Sequence, residues 1–300
     1  MSAHPSEAPR AGGDDAFSDA LTVSFGDAAA DVYGVARLGL AGGGASGLVI
    51  LFAGGMPVAV AAEGGLERDG VPASWDDVQA AGLSMQTVDA GSAWHVRFAG
   101  DDATLDLSLE ASGAVAELGE DEQVAKLGGM SGFDQPVRVR GTVTTGEGAI
   151  ELDGRGQRGR SWGAPDWGRI ALARTVSAWF DGDRSVSLTA VRPAKKSDHE
   201  AEAVAATWLD RAGDDGNGGG PVALPIADAR LSTTYDGEGR QRAAGLELWI
   251  DEDGWAHRAA GEVVCGTSLD LGRLHLDCAF LRWRMDGREG FGRYDILRLA

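Results

Sequence analysis

The sequence predicts an all-β protein. Short segments in which apolar and polar residues alternate recur roughly every 8–14 residues, a spacing typical of antiparallel sandwiches and barrels. Glycine supplies 46 of the 300 residues and is spread between these segments, as turns and bulges require. Apolar residues at helical spacing are scarce. These observations favour antiparallel sheet over helix.

Fourteen strands are predicted, each bounded by turn-forming residues. Those of the first half are Val32–Leu40, Gly47–Ala53, Pro57–Ala62, Ala93–Ala99, Ala103–Glu110, Val137–Thr145 and Ala149–Asp153. Those of the second half are Arg169–Phe180, Ser185–Val191, Arg230–Tyr235, Gly245–Ile250, Gly261–Ser268, Arg273–Arg284 and Gly292–Leu299.

The segment after Lys196 is ambiguous. Ser197–Glu200 fits the capping box of a helix, and Val204 and Trp208 then follow at helical spacing. The same stretch also alternates as a strand would. The acidic, glycine-rich residues 211–220 contain no packing residues and are predicted to form a mobile surface loop.

The last hairpin can be predicted in detail. A two-residue turn at Leu271–Gly272 places Asp270 opposite Arg273 and Cys265 opposite Cys278. Both cysteines then lie on the apolar face, where two buried free thiols are the simplest interpretation. A metal site is not expected, because the Cys and His residues lack ligand spacing.

The charge excludes some partners. Asp and Glu number 46 against 27 Lys and Arg, giving a net charge of −19, which disfavours nucleic acid and anionic membrane surfaces. Residues 1–150 contain 22 acidic and 7 basic residues, and residues 151–300 contain 24 and 20. This asymmetry suggests two units.

No apolar run approaches the roughly 18 residues of a membrane helix. Residues 1–13 are polar and resemble no secretory signal, so a cytoplasmic protein with a disordered tail over residues 1–18 is expected. The oligomeric state is left open.

Residues Gly154–Gly159 read GRGQRG and match the dinucleotide fingerprint G-x-G-x-x-G. That fingerprint needs a helix N-terminus next to hold the pyrophosphate, but Arg160–Gly168 contains no helical pattern. Nucleotide binding is therefore not predicted, and no cofactor is expected.

Residues Gly154–Gly168 combine three arginines, two tryptophans and an aspartate between two predicted strands. One interpretation is a plug that closes a barrel end, with Arg158 or Arg160 paired to Asp166. The other is a pocket floor where Trp162, Trp167 and a guanidinium meet a mostly apolar ligand.

The run GRGQRGRSWGAPDWGRIALARTVSAWF, residues 154–180, resembles the signature of the two-domain lipocalin-like superfamily of carotenoid 1,2-hydratases and tocopherol-cyclase-like proteins. Gly132–Asp134 and the terminal GFGRYDILR also resemble that pattern. The resemblance implies two consecutive lipocalin-like antiparallel β-barrel domains, residues 19–153 and 154–300, with the signature opening the second. It also favours a strand for Ala201–Leu209.

Relatives commonly carry R-D-H-S-W-G, in which Asp and His could donate protons for alkene hydration or cyclisation. Here residues 158–163 read RGRSWG, so Gly159 replaces the Asp and Arg160 the His. Arginine is a poor general acid. Trp162 and Asp166–Trp167 are retained, so the resemblance implies an aromatic-lined pocket more directly than hydratase chemistry.

Arg174 lies on an apolar face of its predicted strand together with Val176. Such an arginine must be ion-paired or must face a ligand cavity, and Glu247 and Asp134 are candidate partners.

Two functions of different classes follow. The first is non-catalytic binding or carriage of a hydrophobic small molecule, terpenoid- or lipid-like, in a barrel pocket. The expected ligand-binding residues are Arg158, Arg160, Trp162, Trp167, Arg174, Tyr235, Glu247 and Trp249. The alternative is a cofactor-free isomerase, cyclase or hydratase that acts on an isoprenoid-like substrate through Asp134 or Asp166.

A buried carboxyl with a raised pKa would support the enzyme. Inward-facing acids that are each paired to Arg158, Arg160 or Arg174 would support the binding protein. A structural interaction module would instead need a large exposed apolar patch.

Overall fold

The computed structural model describes residues 7–14, 16–68, 70–181, 183–194, 202–210, 220–251 and 254–300. It confirms the all-β prediction, with two antiparallel barrel-like sheets of eleven and nine strands. The chain divides into two compact units. The first contains residues up to Ser112 and Gln135–Ala164, and the second contains Gly113–Asp134 and Pro165–Ala300.

The first sheet holds eleven strands. In chain order they are β1 (Ser18–Asp27), β2 (Val32–Ala41), β3 (Gly44–Ala53), β4 (Met56–Glu67), β5 (Gln79–Ala80), β6 (Leu83–Asp89), β7 (Ala93–Ala99), β8 (Ala103–Ala111), β9 (Ala116–Leu118), β10 (Met130–Thr145) and β11 (Gly148–Gly163). Their order in the sheet is β4-β3-β2-β1-β11-β10-β8-β7-β6-β5, and β9 pairs with the start of β10.

Period-two alternation produces the strands of the first barrel. In β8, Ala103, Leu105, Leu107 and Leu109 are buried, and the polar residues between them are exposed. The buried positions join a core cluster with the inward residues of β1, β2, β7 and β10. Apolar burial of this kind is the main stabilising term of the unit.

Strand β11 extends beyond the predicted end at Asp153. Residues 155–163 pair antiparallel with β1, so the first ten residues of the segment 154–168, which was placed between two predicted strands, are themselves part of a strand. The glycines permit this pairing, since a Cβ at Gly156 would lie 2.4 Å from the Ser24 carbonyl oxygen. The break between the two units, at Ala164, falls inside the signature, whose first part belongs to the first barrel.

The second sheet holds nine strands. They are β12 (Ile170–Phe180), β13 (Arg184–Pro193), β14 (Ala203–Asp210), β15 (Val222–Pro225), β16 (Asp228–Tyr235), β17 (Gln241–Trp249), β18 (His257–Leu271), β19 (Leu274–Met285) and β20 (Arg288–Leu299). Their order is β15-β14-β13-β12-β20-β19-β18-β17-β16.

The two edge strands of the second sheet are consecutive in the chain. Between them, the Ile226 N–H donates to the Ala206 carbonyl and the Ala227 N–H to the Trp249 carbonyl, both at 2.9 Å. The segment between β15 and β16 therefore forms hydrogen bonds with β14 near one edge of the sheet and with β17 near the other. The ambiguous segment before it is a strand, β14, as the resemblance implied.

The β18–β19 hairpin has a different register from the predicted one. Gly272 and Arg273 form the turn, and Leu271 pairs with Leu274. Gly272 has φ of 68°, which suits the first turn position of a type II′ hairpin. The prediction placed the turn one residue too early.

The two cysteines consequently do not face each other. Cys265 lies opposite Phe280, and Cys278 lies opposite Thr267. The partner of each cysteine is displaced by two residues, which keeps the same face of the strand inward. Both thiols are therefore buried, as predicted. Burial raises the pKa of the Cys278 thiol.

Helix is confined to short segments in the described ranges. An α-helix, α1 (Gln123–Gly128), packs on β13 and β14, and single 3-10 turns occupy Trp75–Asp77 and Trp167–Arg169. None of these is long and apolar enough to cross a membrane. The predicted capping box at Ser197–Glu200 and all but the last residue of the predicted loop at 211–220 lie outside the described residues.

Candidate functional site

Two arginines of β11 lie in the interior of the first barrel. Arg158 is directly opposite Val23 of β1, and Arg160 is opposite Leu21. Opposed residues of antiparallel strands share a face, and both apolar partners belong to the core cluster. The two arginines are 1% and 2% exposed, so each charge requires an anion nearby.

Asp19 of β1 neutralises Arg160. The Arg160 Nε donates to Asp19 Oδ1 at 3.1 Å and Nη2 donates to Oδ2 at 2.6 Å. Nη2 also donates to the Ala8 carbonyl at 2.6 Å, and the Arg10 N–H donates to Asp19 Oδ2 at 2.7 Å. Because the pair is bidentate and buried, it forms part of the barrel framework.

Glu7 is the anion beside Arg158. The Arg158 Nη2 donates to Glu7 Oε2, and the guanidinium lies 4.4 Å from the centre of the Trp94 ring. Burial lowers the pKa of Arg158 to about 10, and Arg160 also lowers it, whereas Glu7 raises it. Arg158 therefore stays charged at neutral pH. The stability of the barrel around this buried charge depends on an anion beside it.

Two further donors hold the same carboxylate. Glu7 Oε1 accepts from the Gly91 N–H at 3.2 Å and from Trp94 Nε1 at 3.3 Å. Arg10 stacks over Trp162 with 3.8 Å between guanidinium and ring centre. Residues 7–10 were expected in the disordered tail, but they bind the barrel because its buried arginines need acceptors.

A small cavity lies beside Arg158. Its lining is mostly apolar, with Gln86 and Thr87 as polar neighbours, and the other residues are Leu21, Val23, Trp75, Met85, Trp94, Val96 and Leu109. The cavity volume is about 10 Å³, roughly enough for one water molecule. The buried Trp75 indole N–H has no acceptor among the described residues.

Arg174 lies in the interior of the second barrel. Its Nε donates to Glu202 Oε1 at 2.9 Å, and Nη2 pairs with the other carboxylate oxygen. Nη1 donates to Thr233 Oγ1 at 3.3 Å, and burial raises the pKa of the adjacent Tyr294 hydroxyl. The predicted ion pairing is present, but Glu247 and Asp134 were the wrong partners.

The two proposed catalytic acids are both in the second unit. Asp134 is half-buried, and its Oδ2 accepts from the Ser187 hydroxyl at 2.6 Å. Asp166 is exposed, and its Oδ1 accepts from the Gly168 N–H at 3.0 Å, which begins the 3-10 turn. Arg158 and Arg160, which one interpretation paired with Asp166, are held by Glu7 and Asp19 in the first unit.

The remaining predicted ligand-binding residues are divided between the two units. Trp162 lies beside Arg160 in the first unit, with 6.0 Å between guanidinium and ring centre. In the second unit, Trp167 packs against a separate apolar cluster around α1. Tyr235 is 44% exposed, Glu247 accepts from Arg258 Nε at 3.1 Å, and Trp249 stacks with Arg230 at 4.7 Å.

Several site residues were missed by sequence reasoning. Asp19 precedes Leu21 and Val23 on alternate positions, and an acid on an apolar strand face was a readable signal. For Trp75 and Trp94, the only signal in the sequence was that they are tryptophans. Glu7 gave no signal, because it lies 151 residues from Arg158 in the chain.

Solved structures share this fold over nearly the whole chain. An AttH candidate (NE1406) of Nitrosomonas europaea has a TM-score of 0.68 at 13% identity, covering 95% of this chain and 93% of that one. CghA with Sch210972 gives 0.63 at 13% identity, covering 95% and 89%. Kievitone hydratase of Nectria haematococca gives 0.62 at 12% identity, covering 94% and 88%. The fold implied by the sequence resemblance is confirmed.

No curated protein matches the chain. A family profile covers residues 4–300, which is almost the entire sequence. The chain therefore belongs to the DUF7064 family, a domain of unknown function.

Proposed function

We propose that this protein binds a mostly apolar small molecule in its first barrel. The observation that carries the proposal is the apolar lining beside Arg158, where aromatic and aliphatic side chains adjoin a buried guanidinium around a small space that a ligand would have to widen. Ligand sites commonly combine an apolar lining with few polar groups that orient the ligand. Arg158 is the orienting group in this arrangement.

The pairing of the buried acids favours binding over proton transfer. Asp19 is held by Arg160, Glu7 by Arg158 and Glu202 by Arg174. A carboxylate bound to a guanidinium accepts hydrogen bonds and has no proton to give to an alkene. The acids that face these arginines thus serve structure or recognition.

The second candidate is a hydratase or cyclase that works through Asp134. This carboxyl is half-buried and accepts a hydrogen bond from the Ser187 hydroxyl at 2.6 Å. Kievitone hydratase, one of the fold neighbours, bears the name of such a reaction. Asp166 is a weaker choice, because it is exposed and caps a turn.

Native mass spectrometry of protein purified from its own host tests for a bound apolar molecule. Titration with farnesol, monitored by tryptophan fluorescence, then measures binding, and two variants locate the site. Leu109→Phe fills the cavity and is expected to weaken binding at least about tenfold, or about 1.4 kcal/mol. Leu107→Phe overpacks the same strand away from the cavity lining and is the matched control.

Equal weakening by both variants, or no bound molecule and no fluorescence change with farnesol, a fatty acid or a sterol, contradicts the proposal. Turnover of an isoprenoid substrate that is abolished by Asp134→Asn would instead establish the enzyme.

A further inference from the structure

We propose that the donors around Glu7 form a carboxylate-binding subsite, and that the first barrel takes a small carboxylic acid whose head group replaces Glu7. The inference rests on the proposed function, because the apolar part of the acid would occupy the cavity beside Arg158. It assigns to that site a head-group chemistry that the fold does not specify.

Three donors of different kinds meet one carboxylate. Arg158 supplies a charged Nη2, Trp94 an indole N–H at 3.3 Å, and Gly91 a backbone N–H at 3.2 Å. Both oxygens of Glu7 are engaged, Oε2 by the guanidinium and Oε1 by the other two donors. Charge-assisted bonds to a fixed set of donors are how proteins recognise a carboxylate.

Glu7 is attached to the barrel less firmly than Asp19. Asp19 lies on β1 and its side chain is 1% exposed, whereas Glu7 precedes every strand and its side chain is 18% exposed. Glu7 acts as an intramolecular ligand that Ala8 and Arg10 help to position through their own contacts with the barrel. A free acid can compete when apolar contacts add to its affinity.

The cavity supplies those apolar contacts once Glu7 leaves. The space admits roughly one water molecule, so an aliphatic chain needs the lining side chains to move apart as well as Glu7 to leave Arg158 and Trp94. Met85 and Leu109 line the space, and Trp75 adds an indole N–H without an acceptor among the described residues. A second oxygen on the ligand would satisfy that donor.

The buried charge of Arg158 makes the exchange measurable. Removing the Glu7 carboxylate leaves a guanidinium that is 1% exposed without this counter-ion, which destabilises the barrel. An added carboxylate that binds at the same donors restores the lost stability by mass action. A neutral analogue of the same chain length cannot do so.

The experiment compares Glu7→Ala with the wild type, using octanoate and 1-octanol as probes in calorimetry and thermal unfolding. We expect octanoate to bind Glu7→Ala at least about tenfold more tightly than wild type, or about 1.4 kcal/mol. It is also expected to raise the unfolding temperature of the variant more than that of the wild type. The affinity for 1-octanol is expected to change less than threefold or so, because it lacks the charge.

Glu63→Ala is the matched control. Glu63 is an acid of the same barrel that accepts the Ala81 N–H at 2.6 Å and does not line the cavity, so its removal should leave octanoate affinity unchanged. Trp94→Phe in the Glu7→Ala background removes the indole N–H donor and keeps an aromatic ring. It should weaken the binding of octanoate more than the binding of 1-octanol. If Glu7→Ala fails to fold, Glu7→Gln replaces it, with the same expected rise in octanoate affinity.

The outcomes separate the two proposals. Equal affinity of both probes in wild type and Glu7→Ala overturns the carboxylate subsite and leaves the apolar site intact. An equal gain in octanoate affinity in Glu63→Ala also overturns it, because binding would then be unspecific. Failure of both probes to bind either protein, together with no response to farnesol, overturns both proposals.

Discussion

The two barrels stabilise buried arginine in different ways. In the second barrel, the partners of Arg174 belong to the sheet or adjoin it: Glu202 precedes β14, Thr233 is on β16 and Tyr294 is on β20. In the first barrel, the counter-ion of Arg158 comes from Glu7, which lies outside the strands, and a cavity adjoins the pair. The comparison separates a framework ion pair from one that a ligand can replace.

The largest expected effect is in the second barrel. Glu202→Ala removes the anion from Arg174 and from Arg192, whose Nη2 lies 3.5 Å from the Glu202 carboxylate. Breaking a buried pair costs about 3–5 kcal/mol, so we expect a loss of that size in the free energy of urea unfolding. Octanoate should not restore it, since the sheet encloses Arg174.

Glu247→Ala is the control for that measurement, because its pair with Arg258 is exposed and should contribute less than about 1 kcal/mol. A loss of similar size in both variants, or recovery of Glu202→Ala with octanoate, would remove the distinction between the barrels.

In the first barrel, the losses of two acids are expected to differ, one matching the effect of Glu202→Ala and the other smaller. Asp19→Ala should cost about 3–5 kcal/mol, because it leaves Arg160 buried without its bidentate partner. Glu7→Ala should cost about 1–3 kcal/mol, since water can reach part of the vacated site. Guanidinium chloride unfolding, followed by tryptophan fluorescence, measures both. If Glu7→Ala costs as much as Asp19→Ala, then Glu7 is framework and not an intramolecular ligand.

The two strands with the clearest alternation of apolar and polar residues were predicted most closely. β7 and β8 alternate cleanly, and their predicted bounds agree with the structure to within one residue. β1 is buried on both faces and was missed, although β2 and β3, which are buried in the same way, were predicted. β11 was cut short because its glycines and arginines have low strand propensity, and pairing with β1 overrides that preference.

The candidate site could be predicted only in part. The sequence singled out Arg158 and Arg160 as residues needing partners, because their run was unusual. Their partners Glu7 and Asp19 lie 151 and 141 residues away, and such pairings depend on tertiary contacts that no local pattern encodes. The hairpin error has a local cause, since Leu271–Gly272 and Gly272–Arg273 are both acceptable two-residue turns and only one uses the glycine at its first position.

Cysteine alkylation tests whether the second barrel opens in the native protein. Cys265 and Cys278 are 4% and 1% exposed, and burial raises the pKa of the Cys278 thiol, which disfavours the reactive thiolate. Iodoacetamide at pH 7.5 should therefore modify neither thiol in the native protein and both after denaturation, as mass spectrometry can count. Rapid native labelling would show that the second barrel opens readily in the native protein.

The smallest expected effect is a pH dependence on the surface of the second barrel. His275 Nδ1 lies 2.6 Å from Asp270 Oδ1, and Nε2 lies 3.1 Å from Asp277 Oδ1. The hydrogen bond with Asp270 raises the pKa of His275 most strongly. Partial burial opposes this, Asp277 adds to it, and Arg298 opposes it.

A histidine whose folded pKa exceeds its unfolded value of about 6.5 is bound to its proton more tightly in the folded state. Its stabilisation is therefore fully present below that value and is lost as pH rises through the folded pKa. His275→Gln should lower the unfolding temperature of the second barrel most at pH 5 and progressively less toward pH 8.5, by scanning calorimetry. Octanoate should leave this difference unchanged, because the acid belongs to the first barrel. A deficit that is constant with pH would mean that His275 contributes packing alone, and a deficit that grows with pH would reverse the assigned direction of the pKa shift.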